Sequence, residues 1–361
     1  MKLLHIADLH LGKTFHKVNI LKDQEYVLQQ IVKIMDETSS NIVIAGDVFD
    51  SVNPSLEAQE LFLNTLKDII KVCEKHKTHC YITVGNHDSA RRVMLWKDFV
   101  SEYVTITDDF CIVEQDGVKL CLLPFIKPVL AELKFNEEFD SYTSAYNKYL
   151  GMVDDRTHTV LVTHQTFEGC TTGSSETMSF FDDAIPLSSV TGFPLVIAGH
   201  IHKQQRLWNV YYSGSLLPYA FGDKAVENIY VWDIPEGCNG PITKTEHPVK
   251  YLHNLRIIEG DLKHVLEHED SDDFIMVTLI EENLAPDAVM NELKAHFTHL
   301  LTVAQGNKDK FKADITKPTA QFKTFEEAVD SFCKQIDIPV FNKTQIKYIL
   351  EALHEVTNIT D

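Results

Sequence analysis

The chain has 361 residues, 44% of them apolar, and a formal charge of −20. That length exceeds one ordinary domain and suffices for a sizeable core, while the acidity excludes a broad nonspecific grip on nucleic acid, which needs Lys and Arg against phosphates. A polyanionic substrate must therefore be held locally, by bound divalent metal or by a partner subunit.

In chain order, Lys2–Ile6 predicts a strand that runs into Asp8-Leu9-His10. Asp8 and His10, two apart on an extended chain, point to one side. Leu21–Thr38 has the period of an amphipathic helix, and Asn41–Ala45 is a fully apolar strand of the buried kind leading to Gly46-Asp47-Val48-Phe49-Asp50. From Pro54 to about His76 a helix is predicted, with Pro in its first turn and Phe62, Leu66, Ile69 and Cys73 on one face. The strand His79–Val84 then leads to Gly85-Asn86-His87-Asp88. Strand–helix–strand order implies right-handed crossovers, a mostly parallel or mixed sheet, and ligands at the carboxyl ends of the strands. The predicted fold class is a layered α/β sandwich.

Further strands are predicted at about Phe110–Val113, Val118–Leu123, Thr159–Thr163, Leu195–Ala198, Val210–Ser213 and Ile229–Asp233, with a helix near Ser141–Met152. Two of these strands also end on ligand-type residues: Thr163-His164 and Gly199-His200-Ile201-His202. The Gly-, Ser- and Thr-rich stretch Glu168–Ser189 reads as a long loop flanking the site. After Pro248 such clusters cease. A strand at Phe274–Ile280 and a helix at Ala285–His296 predict a small α+β module, so the expected division is 1–250, 251–318 and a helical segment over 319–361. The last helix, about Lys343–Val356, carries a stripe of Ile346, Ile349, Leu350 and Leu353, which suits docking on its own domain or on a partner. No stretch approaches the roughly 20 uncharged residues of a spanning helix and the start lacks a leader-like apolar region, so no membrane association and a cytoplasmic location are expected. Seven scattered Cys without C-x-x-C spacing predict reduced, mostly buried thiols.

Carboxylate, amide oxygen and imidazole together suit Mn²⁺, Fe²⁺ or Zn²⁺, whereas oxygens alone would favour Mg²⁺ or Ca²⁺. Two ions roughly 3.5–4 Å apart, bridged by one carboxylate, can activate water and clamp both the attacking and leaving oxygens of a phosphoester. Asp47, after a Gly that permits a tight strand exit, is the best bridge. His200 and His202 share one side, Asn86 offers a neutral oxygen, and His164 completes the second metal. His87 would then stand beside the substrate, to protonate the leaving oxygen or stabilise charge on the phosphate, with Asp50 holding its imidazole in the right tautomer. A lone Asp-x-His or His-x-His is more often a surface turn; the ordered set at strand ends carries the metal reading. His16, His76, His79, His158, His253 and His296 belong to no such set and are expected to be solvated or structural.

The ordered motifs Asp8-x-His10, Gly46-Asp47-x-x-Asp50, Gly85-Asn86-His87-Asp88, His164 and Gly199-His200-x-His202 resemble the calcineurin-like metallophosphoesterase superfamily. The opening His5-Ile6-Ala7-Asp8-Leu9-His10-Leu11-Gly12, the run Ile44–Asp50 and Tyr212-Ser213-Gly214-Ser215-Leu216 narrow the likeness to the SbcD family of nuclease subunits, well over about residues 1–235 and in layout beyond. The resemblance implies one ion held by Asp8, His10, Asp47 and His202, and another by Asp47, Asn86, His164 and His200, with His87 catalytic. The ions would be two Mn²⁺, with Mg²⁺ or another divalent transition metal as alternatives. It also implies a capping domain after the phosphoesterase core and a C-terminal helical segment that binds the coiled-coil base of an SbcC-type, SMC-like ATPase. A homodimer within a heterotetramer would act on DNA, as an ATP-dependent 3′ to 5′ exonuclease on double-stranded ends and an endonuclease on hairpins, in repair and recombination.

Three other readings compete. A protein Ser/Thr phosphatase carries Arg-Gly after the second Asp of Gly-Asp-x-x-Asp and Glu after Asn-His, where Ser51-Val52 and Asp88 stand here. A small-molecule phosphodiesterase shares the metals, and the long C-terminal module argues against it. An inactive scaffold would lack a ligand or His87, and none is missing.

Overall fold

The computed structural model describes residues 1–94, Trp96, and residues 101–175, 183–280 and 286–305. The predicted terminal helix at Lys343–Val356 and the whole segment 319–361 lie outside the described residues.

The chain begins with β1 (Lys2–Ile6), a short hairpin of β2 (Thr14–Phe15) and β3 (Val18–Asn19), and helix α1 (Leu21–Thr38). There follow β4 (Asn41–Ala45), α2 (Leu56–His76), β5 (Cys80–Thr83), α3 (Ala90–Met94) and β6 (Val104–Thr107). Both long helices arise from an apolar stripe and have clear ends. In α1 the stripe is Val27, Leu28, Ile31, Ile34 and Met35, and Ser39 closes the helix in left-handed geometry. In α2 the Ser55 hydroxyl accepts from the Ala58 amide at 3.2 Å, a cap that fixes the start two residues after the predicted Pro54. These helices connect neighbouring parallel strands, giving one six-stranded sheet in the order β14-β13-β1-β4-β5-β6 once β13 (Asn228–Asp233) and β14 (Thr243–Pro248) add antiparallel at its edge.

The middle of the chain builds a second six-stranded sheet, ordered β11-β12-β10-β9-β8-β7. Its members are β7 (Cys111–Gln115), β8 (Val118–Leu123), β9 (Thr159–His164), β10 (Val196–Gly199), β11 (Gln205–Leu207) and β12 (Val210–Tyr212), with α4 (Pro128–Phe135) and α5 (Tyr142–Leu150) between β8 and β9. The two sheets face each other across Leu3, Val43, Tyr81, Leu120, Val162 and Trp232, all buried. The helices α1 and α2 cover the outer face of the first sheet, and α5 that of the second. Each fully buried Leu, Ile or Val of these layers contributes about 1.5–3 kcal/mol by leaving water. The outcome is the layered α/β sandwich expected from the sequence.

After the sandwich, β15 (Leu255–Gly260), α6 (Leu262–Leu266), β16 (Phe274–Leu279), α7 (Pro286–His296) and β17 (Leu300–Gln305) form a three-stranded parallel sheet around Val265, Ile275, Val277, Leu293 and Phe297. The sequence predicted only the central strand and the second helix of this module. Among the described residues, β15 and β17 are edge strands, and β14, also unpredicted, is the polar run Thr-Lys-Thr-Glu-His-Pro, paired along one side only. Such strands need not alternate cleanly.

Candidate metal centre

Five strands deliver side chains to one end of the sandwich: the carboxyl ends of β1, β4, β5, β9 and β10. Parallel pairing sets these ends level, with Ala45 opposite Thr83 and Gly199 opposite His164. Just past β1 the chain lies along the loop after β4, through Asp8 N–H to Gly46 O at 3.1 Å, His10 N–H to Asp47 O at 3.0 Å and Leu11 N–H to Val48 O at 2.9 Å. The turns are tight. Asp8, His10, Asp47 and His200 have φ of 54°, 42°, 51° and 90°, in the left-handed region that side chains other than Gly disfavour. Gly85 is needed for space, since a Cβ there would stand 2.1 Å from Asp47 Oδ1.

All seven side chains expected to bind metal converge. His10 Nε2 lies 2.9 Å from His202 Nε2 and 3.6 Å from Asp47 Oδ2. His164 Nε2 lies 3.3 Å from the same carboxylate oxygen. Asn86 Oδ1 is 3.1 Å from His164 Nε2 and 2.8 Å from His200 Nδ1. Three overlapping groups result, each with its ligand atoms within 4.8 Å of one another: Asp8, His10 and His202; His10, Asp47 and His87; and Asp47, His164 and His200. Asp8, His10 and His164 are fully buried, and Asp47 and His200 nearly so.

The surroundings fix how these groups are presented. His164 Nδ1 donates to the Ala45 carbonyl at 2.7 Å, which turns Nε2 toward the cluster. The Asp8 carboxylate accepts the His200 amide at 3.0 and 3.1 Å, and Asp47 Oδ1 accepts the His87 amide at 2.8 Å. Burial holds His10, His200 and His202 below the usual imidazole range, His200 at about 3 and His202 at about 2. In His164 burial acts the same way, but the carboxylates of Asp47 and Asp8 outweigh it and raise the ring to about 9. Asp47 itself is buried, yet His164 and His10 hold its carboxyl well below the usual carboxylate range. Of the rings of His10, His164, His200 and His202, only that of His164 is thus raised. Oriented imidazole nitrogens around a shared, ionised carboxylate fit a pair of divalent transition-metal ions.

Asp50 differs from expectation. Its main-chain carbonyl, not its carboxylate, accepts from His87 Nδ1, at 3.0 Å. The carboxylate turns to Lys13 Nζ at 2.7 Å and His10 Nδ1 at 3.5 Å, because the ammonium of Lys13 draws it across the loop. Burial opposes its charge, but bonds from His10 and Lys13 bring its carboxyl down to about 2. Lys13 was legible only as a charge after Gly12.

Asp88 has a role that the sequence did not assign. Its buried carboxylate accepts from the amides of Val48, Phe49 and Gly85 at 3.2, 3.0 and 3.0 Å, and so ties the loop after β4 to the loop after β5. Burial and the nearby Asp47 raise it to about 6 despite those bonds. The remaining His residues among those described fall outside the centre, as His253 paired with Asp23 and His76 with Asp36 illustrate.

A two-sheet sandwich with imidazoles and carboxylates gathered at its strand ends is the build of a phosphoester hydrolase, and residues 1–204 match the calcineurin-like phosphoesterase family. The chain belongs to that family and is an enzyme that hydrolyses phosphoesters. Within it, the chain resembles two staphylococcal proteins, each named as the D component of the nuclease SbcCD. The one from Staphylococcus epidermidis (strain ATCC 12228 / FDA PCI 1200) is 30% identical over 286 residues, 74% of this chain and 74% of the relative. The one from Staphylococcus saprophyticus subsp. saprophyticus is 26% identical over 379 aligned positions, 98% of this chain and 99% of the relative. The solved structure of an archaeal phosphodiesterase overlays with a TM-score of 0.33 at 16% identity, over 68% of this chain and 99% of that one, too slight a likeness to weigh. Among the described residues, no helix is long and apolar enough to cross a membrane.

Proposed function

We propose that this chain is the nuclease subunit of an SbcCD-type complex, a metal-dependent phosphodiesterase acting on DNA. The observation that carries the metal part is the shared carboxylate: His10 and His164 approach the same Asp47 oxygen at 3.6 and 3.3 Å, each within its own ligand group. One ion would be held by Asp8, His10, Asp47 and His202, and the other by Asp47, Asn86, His164 and His200. Bound there, divalent ions, Mn²⁺ in this reading, supply Lewis acidity at the phosphate and neutralise its charge. The nuclease part rests on the likeness to SbcD proteins along nearly the whole chain.

The chain's own residues account for the rest. His87 serves as the general acid: with Nδ1 bonded to the Asp50 carbonyl, Nε2 is left to give a proton to the leaving oxygen. The His87 amide steadies Asp47, so one residue links the bridge to the acid. A charge of −20 leaves little general attraction for DNA, so the phosphates are held at the metals and by a partner. That partner is an SbcC-type, SMC-like ATPase, joined through the segment 319–361, in a heterotetramer built on a homodimer of this chain. Residues 1–250 then form the nuclease domain and 251–318 the cap. Within the complex the activities are 3′ to 5′ removal from double-stranded ends and opening of hairpins.

The test is cleavage of an end-labelled linear duplex and of a phosphodiester dye with Mn²⁺, alone and with an SbcC-type ATPase plus ATP, using Asp47→Ala as control. Metal-dependent shortening of the duplex that the control lacks is the expected result. Dye hydrolysis with DNA intact even in the presence of the ATPase would refute the nuclease and leave a small-molecule phosphodiesterase.

A further inference from the structure

Gln24, in the first turn of α1, is fully buried and belongs to none of the ligand motifs at the strand ends. A buried amide must find partners at both ends, and all of those that Gln24 finds belong to the metal site or its wall. Its Nε2 donates to the Leu9 carbonyl at 3.1 Å and the His10 carbonyl at 2.8 Å, while its Oε1 accepts from the Gly12 amide at 3.1 Å. The Tyr219 hydroxyl stands 3.3 Å from Nε2 and donates to the same Leu9 carbonyl at 2.6 Å.

The segment held in this way is the one that most needs holding. Asp8, His10 and Gly12 have φ of 54°, 42° and 89°, so the backbone enters left-handed geometry at alternate residues along a short stretch of chain. For Asp8 and His10 that geometry is disfavoured, and such backbone persists only where its surroundings over-determine it. Neither residue lies in a strand or helix. Relaxation of this segment would swing the Asp8 carboxylate and the His10 imidazole away from His202. Gln24 is well placed to prevent it, because the turn that carries it is itself anchored: the neighbouring Asp23 pairs with His253 at 2.8 Å, and the Gln24 amide bonds the Ile20 carbonyl at 3.0 Å.

We propose that Gln24 is a positioning residue of the metal centre, whose side-chain amide keeps the Asp8–Gly12 loop in the strained conformation that aims Asp8 and His10 at one metal. The proposal rests on the reading of the cluster as a metal centre. It differs from a packing role because an isosteric apolar side chain would fill the space and lose the four polar contacts.

The experiment compares the metal-free full chain with Gln24→Met and Gln24→Glu, titrating each calorimetrically with Mn²⁺ alone and measuring its thermal midpoint without metal. In Gln24→Met one of the two binding steps should lose about 10–100-fold in affinity, the scale of losing an outer contact to a metal ligand, and excess Mn²⁺ should restore turnover. Gln24→Glu keeps the acceptor for Gly12 but sets oxygen against the Leu9 and His10 carbonyls, and should lose at least as much. Folded variants with a lowered thermal midpoint and unchanged Mn²⁺ affinity would overturn the proposal. If neither variant folds, Tyr219→Phe removes one member of the clamp: weakened Mn²⁺ binding supports the proposal, and unchanged binding overturns it. Failure of the unsubstituted chain to bind Mn²⁺ would refute the metal reading instead.

Discussion

Titration of the metal-free chain with Mn²⁺ should release close to one proton per chain at pH 7.5, and the proton should come from His164. Its ring is raised to about 9, since burial is outweighed by the carboxylates of Asp47 and Asp8. A group raised that far is mostly protonated at pH 7.5, whereas a metal ligand must be neutral imidazole. His10, His200 and His202 do not contribute, because burial already keeps them neutral at this pH. Asp47 is already ionised, its carboxyl held low by His164 and His10 against the effect of burial.

A raised pKa means that the ion must displace a proton, so binding weakens on acidification and strengthens by about tenfold per pH unit, or about 1.4 kcal/mol, until the pH passes about 9. Calorimetry in two buffers of different ionisation enthalpy gives the proton count from the difference in apparent heat. Zero protons released at pH 7.5, with an affinity that stays flat from pH 7 to 9, would refute the raised pKa assigned to His164.

The same shifts predict how the metal-free fold responds to pH: His164 stabilises it below its unfolded pKa of about 6.5 and ceases to do so as the pH rises through about 9, while the depressed His200 and His202 weaken it as the pH falls from about 6.5. Urea midpoints should therefore peak near neutrality. His87→Gln should keep its full metal content by elemental analysis and lose about 10²–10⁴-fold in turnover; equal loss of metal would place His87 among the ligands. Gly85→Ala sets a Cβ 2.1 Å from Asp47 Oδ1 and 2.4 Å from its amide nitrogen, so it should displace the bridge and lower Mn²⁺ stoichiometry. Asp88→Ala leaves the amides of Val48, Phe49 and Gly85 without their acceptor, and a loss of about 1–3 kcal/mol for each is expected in equilibrium unfolding.

What the sequence disclosed was whatever depends on local pattern. Asn41–Ala45 is buried on both faces and, from Ile42 on, reads as an unbroken apolar run, and the ligand residues follow their strands directly, so parallel pairing alone brings them level. The features missed depend on long-range contact. Gln24 is one polar residue on an amphipathic helix until the fold brings the loop of residues 8–12 over it. Asp88 was visible within its motif, but its acceptor role requires amides forty and thirty-nine residues away. Asp50 shows the limit from the other side: spacing placed it beside His87, yet only the position of Lys13 decides whether carboxylate or carbonyl meets the imidazole.

The strained backbone, the packed imidazoles and the acidity of the chain belong together. Four ligand residues sit in left-handed geometry, His10 and His202 hold ring nitrogens 2.9 Å apart, and the carboxylates of Asp8 and Asp47 are buried beside them. Two divalent cations would bring four positive charges to these buried carboxylates and give the inward-facing nitrogens a cation to face. The same charges are what an acidic chain lacks when it meets a phosphate backbone. Metal occupancy should therefore control substrate affinity as well as turnover: the His87→Gln protein, inactive but metal-loaded, should hold an end-labelled duplex more tightly with Mn²⁺ than after chelation, and equal retention in the two states would show that the grip comes from elsewhere.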